Sequence, residues 1–129
     1  MVVAVMAGGC SAKIVPTDQA AVLPHKRIHD IRATTQKDDA GIVIVKRDSG
    51  YVGSAVNASI FLNGELAAEL ATSEKVTFYL PEGRYLISAM LNGPAGELKE
   101  IETMVTKNRT DVFRVGFFYG NFSITRTNF

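Results

Sequence analysis

Cysteine and histidine are scarce in this chain, and their scarcity limits its redox and metal chemistry. Among the 129 residues, Cys10 is the only cysteine, and His25 and His29 are the only histidines. One cysteine cannot close a disulfide within the chain, and no CxxC or Cys/His grouping has the spacing of a zinc site. We therefore expect the fold to be stabilised by packing rather than by cross-links.

An excess of charge and a long apolar run are also missing. Fourteen lysine and arginine residues stand against thirteen aspartate and glutamate residues, which leaves a formal net charge of +1. This balance predicts no extended electrostatic footprint for nucleic acid, so no nucleic-acid partner is expected. No apolar stretch approaches the roughly 20 residues that a membrane-spanning helix needs. If the protein is attached to a membrane, we therefore expect the attachment to be an anchor rather than a spanning helix.

Residue patterns typical of catalysis are lacking as well. No serine lies in a nucleophile motif, and no glycine-rich phosphate loop is present. Glu100 and Glu102 share a strand face, where solvated charges are a better interpretation than a catalytic pair. His25 and His29 have the i, i+4 spacing that presents two nitrogens to one metal ion, but only Cys10 remains as a third ligand of that type. We expect no enzyme, cofactor or metal, and a metal-dependent hydrolase built on the two histidines ranks last.

The chain does contain a series of short β-branched and aromatic runs from Gly41 onward. "GIVIVKR" is continuously apolar at its start, which is typical of a central strand covered on both faces. In "VNASIFLNGELAAEL", Asn63-Gly64 separates two alternating runs and predicts a hairpin with a type I′ turn. "KVTFYL" and "RYLISAML" flank Pro81-Glu82-Gly83, which predicts a second hairpin.

Seven or eight such strands and almost no helix predict an all-β domain. Short strands joined by consecutive hairpins, each with one apolar face, pack most naturally as an antiparallel two-sheet β-sandwich. A single sheet closed on itself is the alternative architecture. We expect the sandwich to span residues 41–129, with an irregular segment before it.

The first ten residues, "MVVAVMAGGC", resemble the lipobox of bacterial lipoproteins, in which an apolar residue and two small residues precede a cysteine. Ala7, Gly8, Gly9 and Cys10 occupy those places. The resemblance implies cleavage before Cys10 and acyl chains on its sulfur and amine. No Lys or Arg precedes the apolar run, which is near the lower limit of about 7 residues for such a region, and a start upstream of Met1 would account for both. The alternative is a buried core thiol.

This interpretation divides the chain into three parts. Residues 1–9 are the remnant of a signal peptide, residues 10–40 are the lipid-attachment site and a tether, and residues 41–129 are the sandwich. At up to about 3.3 Å per residue, Ser11–Leu23 would hold the domain tens of ångströms from a membrane. His25–Ala33 is predicted to form a short helix or a first edge strand.

Residues 50–89 resemble a pattern of small bacterial lipoproteins of unknown function, and their second half resembles the PEGA domain, an extracytoplasmic β-sandwich module. Pro81, Glu82 and Gly83 match the motif, and Arg84 stands where that family has alanine. The likeness covers about a third of the chain. It implies a cell-envelope protein with a transthyretin-like or immunoglobulin-like sandwich and carries over no catalytic residue.

The stretch "FRVGFFYGNF", residues 113–122, has five aromatics in ten positions and is the best candidate for a contact surface. Strand alternation sends Phe113, Val115 and Phe117 to the core. The alternative is that the sheets and the N-terminal segment cover the remaining aromatics. The candidate ligand contacts are Arg114, Phe118, Tyr119 and Phe122.

These features predict a lipid-anchored bacterial envelope protein whose sandwich binds or organises another envelope component without catalysis. The expected partners are the membrane, through a lipid on Cys10, and another envelope protein or a glycan. In lipoproteins of bacteria with two membranes, a residue other than Asp after the cysteine permits export, so Ser11 implies the periplasmic face of the outer membrane. A carbohydrate- or peptide-binding module is the alternative function.

Overall fold

Two β-sheets that pack face to face form the body of the protein. The computed structural model describes residues 13–50, 55–94 and 96–129. In this part of the chain, a five-stranded sheet has the order β1-β5-β2-β8-β9 and a four-stranded sheet has the order β4-β3-β6-β7. The strands are β1 (Ala21–Val22), β2 (Gly41–Arg47), β3 (Ala58–Leu62), β4 (Glu65–Leu70), β5 (Glu74–Leu80), β6 (Gly83–Leu91), β7 (Lys99–Val105), β8 (Thr110–Phe118) and β9 (Asn121–Thr127).

The two sheets enclose one apolar core, which confirms the predicted two-sheet sandwich. Val45, Phe78 and Phe113 of the larger sheet are fully buried, as are Ile60 and Ile87 of the smaller one. Burying one such side chain contributes about 1.5–3 kcal/mol, so this layer is the main source of stability. The likeness to transthyretin or immunoglobulin domains stays a prediction.

Strand β2 lies at the centre of the larger sheet, as its continuous apolar run predicts. It pairs antiparallel with β5 and parallel with β8, so the pairing in this sheet is not wholly antiparallel. The short strand β1 also pairs parallel, with β5. Five strands, drawn from both sheets, lie between β2 and β8 in the chain, so no hairpin turn fixes the relative direction of these two strands.

The first predicted hairpin is confirmed. Strands β3 and β4 pair antiparallel across Asn63 and Gly64, whose φ angles of 49° and 84° are both in the left-handed region that a type I′ turn requires. The register shifts by one residue between Ile60 and Phe61, where the ladder has an irregularity.

The second predicted hairpin was wrong. Strand β5 pairs with β1 and β2 in the larger sheet, whereas β6 pairs with β3 and β7 in the smaller one. Pro81 and Glu82 therefore carry the chain from one sheet to the other. A two-residue type I′ turn needs positive φ at both central positions, and the proline ring holds φ near −65°.

Residues 13–40 lie across the sandwich rather than extending away from it as the predicted tether would. Lys13 and Ser49 exchange backbone hydrogen bonds of 2.7 and 3.0 Å. β1 pairs with β5, the side chains of Leu23 and Ala33 are buried, and Ile28 forms a bridge with Ala68 of β4. The segment contains two short 3-10 helices, Thr17–Gln19 and His25–Arg27. In the described part of the chain, no helix has the length and apolar character needed to cross a membrane.

Candidate functional site

The aromatic stretch forms the end of β8 and the start of β9. Phe113 and Val115 lie in the core, as strand alternation predicts, and Phe117 packs against it. Tyr119 and Gly120 form the turn between the two strands, with φ angles of 54° and 83°. Because both angles are positive, this is a tight two-residue hairpin.

Arg114 and Phe118, two of the four predicted contacts, lie together on the outer face of β8. The guanidinium carbon of Arg114 is 3.9 Å from the centre of the Phe118 ring, which is cation–π geometry. The same guanidinium donates to both carboxylate oxygens of Asp48, with an Nη2 to Oδ2 distance of 2.6 Å. Asp48 is 3% exposed, so this ion pair is shielded from water on the carboxylate side.

Asp48 and its neighbour Lys46 were not predicted from the sequence. Lys46 is fully buried, and its Nζ donates to the backbone oxygen of Val15 at 2.5 Å and lies 5.4 Å from the centre of the Phe129 ring. Burial lowers the pKa of the Lys46 ammonium group. The signal in the sequence was the run Lys46-Arg47-Asp48, which places three charged residues directly after the apolar stretch of the central strand.

Arg47 points to the opposite side of β2 from Lys46. Its Nη1 donates to the backbone oxygens of Val56 at 2.7 Å and Leu70 at 2.9 Å. Burial lowers the pKa of this guanidinium, which nevertheless ties together the ends of β2 and β4. The arginine therefore has a structural role at the edge of the core.

Phe122 and Tyr119 lie in opposite environments. The Phe122 ring is buried, and it meets Phe117 edge-on with centroids 5.6 Å apart. Phe122 therefore belongs to the core in this structure rather than to a surface that a ligand would meet. Tyr119 is fully exposed at the tip of the turn. The fold thus brings together two of the four predicted contact residues and separates the other two.

The two histidines do not form the paired arrangement that their spacing suggested. The short 3-10 helix ends at Arg27, so His25 and His29 do not share a helical face. His29 Nε2 lies 2.7 Å from an oxygen of Glu69, and His25 lines a separate groove of about 410 Å³. Across the described residues, no three His, Cys, Asp or Glu side chains are grouped to hold a metal ion.

The paired glutamates of β7 each have a local partner. Glu100 accepts a hydrogen bond from Ser88, and Glu102 forms an ion pair with Arg84 at 3.2 Å. Both partners lie on the neighbouring strand β6. This arrangement is that of a charged outer sheet face.

The end of the sandwich that includes Ser49 is the end to which Lys13, the first described residue, is joined. We call it the Ser49 end. It contains the last residues of β2, the Tyr119–Gly120 turn of β8, and the links from β4 to β5 and from β6 to β7. Lys13 is joined to this end through its hydrogen bonds with Ser49. Cys10 and the preceding residues that resemble a lipobox lie outside the described residues.

Comparison of the chain with known protein families, with characterised proteins and with solved structures finds no match in any of the three.

Proposed function

We propose that this protein is a lipid-anchored component of the bacterial cell envelope, on the periplasmic face of the outer membrane. Its anchor is a lipid on Cys10, and its β-sandwich binds or organises another envelope component without catalysis. The sequence "AGGC" and the serine that follows support the anchor and its destination.

The observation that carries the proposal is the fixed position of Lys13. Its backbone N–H donates to Ser49 at 2.7 Å, and its carbonyl accepts from Ser49 at 3.0 Å. Cys10 precedes Lys13 by three residues, so the two Cα atoms lie at most about 11 Å apart. A lipid on Cys10 would therefore hold the sandwich close to the membrane by one defined end.

The partners of the buried charged groups support a non-catalytic role. Asp48 is bound by Arg114, and Asp111 is bound by Arg126 at 2.7 Å. Arg47 donates to backbone carbonyl oxygens. Each of these contacts joins separate strands or segments, as expected of groups that hold a fold together.

A carbohydrate- or peptide-binding module is less well supported as the principal function. Of the four aromatic-stretch residues that would make its site, Phe122 lies in the core and Phe118 covers the guanidinium of Arg114. Only Tyr119 projects freely, and a single ring is a small platform for a specific glycan.

Mass spectrometry of the protein purified from the membranes of its native host tests the anchor. We expect an N-terminal peptide that begins at Cys10 and carries acyl chains, and we expect Cys10→Ser to abolish the acyl mass and release the protein from membranes. A peptide that retains residues 1–9 with an unmodified thiol would overturn the proposal.

Separation of inner and outer membranes tests the location. The wild-type chain should fractionate with outer membranes, and Ser11→Asp should move it to the inner membrane while leaving acylation intact. The proposed outer-membrane location would be contradicted if the wild type and Ser11→Asp were each distributed equally between the two membranes.

A further inference from the structure

The Ser49 end presents several apolar side chains to solvent. Exposed large apolar residues are dispersed over most of the described surface, but four of them share this end. Ile14 follows Lys13, Val56 lies in the link from β2 to β3, Leu98 precedes β7, and Tyr119 forms the tip of the β8–β9 turn. These residues come from four separate segments of the chain, so the fold rather than one local run brings them to the same end. We call these four residues the apolar patch.

Tyr119 is the most protruding member of this set. Arg47 and Val115 are register partners, and Tyr119 lies four residues beyond Val115, whereas Ser49 lies two residues beyond Arg47. Pairing of β8 with β9 continues to Phe118, three residues beyond Val115, so the turn that follows extends further than Ser49. The ring is fully exposed at a left-handed backbone position, where Asn, Asp or Gly would be more favourable. Folding alone therefore gives no reason for a tyrosine here.

The reach of the anchor brings this end to the lipid surface. Cys10 and Lys13 are three residues apart, so their Cα atoms lie at most about 11 Å apart, and one interfacial layer is about 5–8 Å thick. Tyrosine is enriched at membrane–water interfaces because its ring is apolar and its hydroxyl is polar. A hairpin tip that extends beyond the attachment point is well placed to reach that layer.

From this geometry we infer that the Ser49 end rests on a phospholipid surface, with Tyr119 inserted into the interfacial layer and Ile14, Val56 and Leu98 facing the membrane. The inference rests on the proposed lipid anchor at Cys10 and adds an orientation to it. In this orientation the sandwich lies directly on the membrane, and its opposite end, around the Asn63–Gly64 turn, faces the periplasm.

The charged groups near this end bear on the choice of lipid for a test. Lys13 contributes one positive charge, and Glu97 and Lys99 form an ion pair at 2.9 Å and nearly cancel. Asp48 and Arg114 cancel in the same way. Lys46, Arg47 and Lys75 also lie toward this end, so its charge does not by itself select a headgroup. Zwitterionic lipid therefore tests insertion without an added electrostatic attraction.

The test uses tryptophan as a reporter, because the chain contains none. Full-length Tyr119→Trp is coupled through its single cysteine, under conditions that expose the thiol, to a maleimide lipid in phosphatidylcholine vesicles. Leu66→Trp, beside the Asn63–Gly64 turn at the opposite end, is the matched control. Circular dichroism checks that both variants retain the β-sheet spectrum.

We expect the emission of the Tyr119→Trp reporter to shift to shorter wavelength on coupling. Lipids brominated near the headgroup should quench it at least threefold more than they quench the Leu66→Trp reporter. Equal quenching of the two reporters, or unchanged access of aqueous iodide to position 119, would overturn the inference. A shift in the Tyr119→Trp emission on addition of peptidoglycan fragments but not of lipid would also overturn the inference. It would indicate that the patch binds a glycan.

The two proposals fail in different experiments. Coupling through a synthetic lipid does not depend on acylation in the host, so an exposed reporter at position 119 would overturn the orientation and leave the anchor standing. Conversely, an unmodified Cys10 in the host protein would overturn the anchor, whatever the coupled vesicles show.

Discussion

Gly116 lies directly against Asp48. A Cβ atom at position 116 would come within 2.7 Å of Oδ2 and 2.9 Å of Cβ of Asp48. The glycine therefore makes room for the carboxylate, which in turn receives the guanidinium of Arg114 from two residues earlier on the same strand. A glycine inside a strand often marks such a close approach, and here it permits a buried ion pair between β8 and the end of β2.

Gly116→Ala should destabilise the fold by about 1–3 kcal/mol, because the added methyl group overlaps the enclosed Asp48 side chain. Urea unfolding followed by circular dichroism measures the change. The control is the same substitution in an Asp48→Gly background, where neither the carboxylate nor Cβ of residue 48 is present and most of the cost should be relieved. An equal cost in both backgrounds would show that contact with Asp48 is not its cause.

Arg114→Met should cost about 3–5 kcal/mol of unfolding free energy, because it leaves the buried Asp48 carboxylate without its partner. The matched control is Arg84→Met, which breaks the exposed pair with Glu102 and should change stability by less than about 1 kcal/mol. Thermal unfolding of the two variants gives the comparison. Similar small losses in both would mean that the Asp48–Arg114 pair contributes no more to stability than an exposed pair.

Local patterns in the sequence predict the strands, but not how distant strands meet. Asn63-Gly64 specifies its hairpin because the turn is decided by two adjacent residues. Packing decides which of the two sheets β6 joins, because the apolar runs on either side of Pro81 would fit either sheet equally well.

The same difference between local pattern and long-range packing explains which residues of the candidate site could be predicted. The alternation of β8 predicts that Phe113 and Val115 are buried. The buried state of Phe122 depends on the register of β9, where it is the direct partner of Phe117 across the Tyr119–Gly120 turn. Asp48 and Arg114 are 66 residues apart in the sequence, and only the parallel pairing of β2 and β8 brings them together.

Glu74→Gln should weaken the attachment of the N-terminal segment. Arg27 donates to both oxygens of Glu74, at 2.6 and 2.8 Å. Burial alone would raise the pKa of the Glu74 carboxyl, but hydrogen bonds from Arg27 and from the Ala71 N–H outweigh it and leave the pKa lowered. The ion pair therefore stabilises the fold above the ordinary value of 4.5, and this contribution is lost as pH falls through the lowered value.

At neutral pH we expect Glu74→Gln to cost about 1–3 kcal/mol, since hydrogen bonds to charged groups are lost. Urea titrations at several pH values should show the difference from wild type shrinking below pH 4.5. A difference that is constant from neutral to acid pH would exclude the charged pair as its source. Glu97→Gln, in an exposed pair with Lys99, serves as the control.

Lys46→Met should change how stability depends on alkaline pH. Burial lowers the pKa of Lys46 below 10.5, so the folded protein binds fewer protons than the unfolded chain between the lowered value and 10.5. Across that pH window, the free energy of unfolding of the wild type should rise relative to the variant. The rise is about 1.4 kcal/mol for each pH unit by which the pKa of Lys46 is lowered. Lys107→Met, which changes an exposed lysine, controls for general alkaline effects. Parallel pH profiles for wild type and Lys46→Met would contradict the prediction.

Tyr119→Asn should leave the fold as stable as the wild type or stabilise it by up to about 1 kcal/mol. The residue has a φ of 54° and a fully exposed ring, so folding carries a backbone cost there without gaining burial. Asparagine tolerates that conformation better and is preferred before glycine in type I′ turns. Thermal unfolding checks the prediction, with Phe122→Leu as a control that should lose stability because its ring is in the core. A clear loss on Tyr119→Asn would mean that the ring supports the hairpin, whereas a gain would leave contact with something outside the fold as the reason for a tyrosine at this tip.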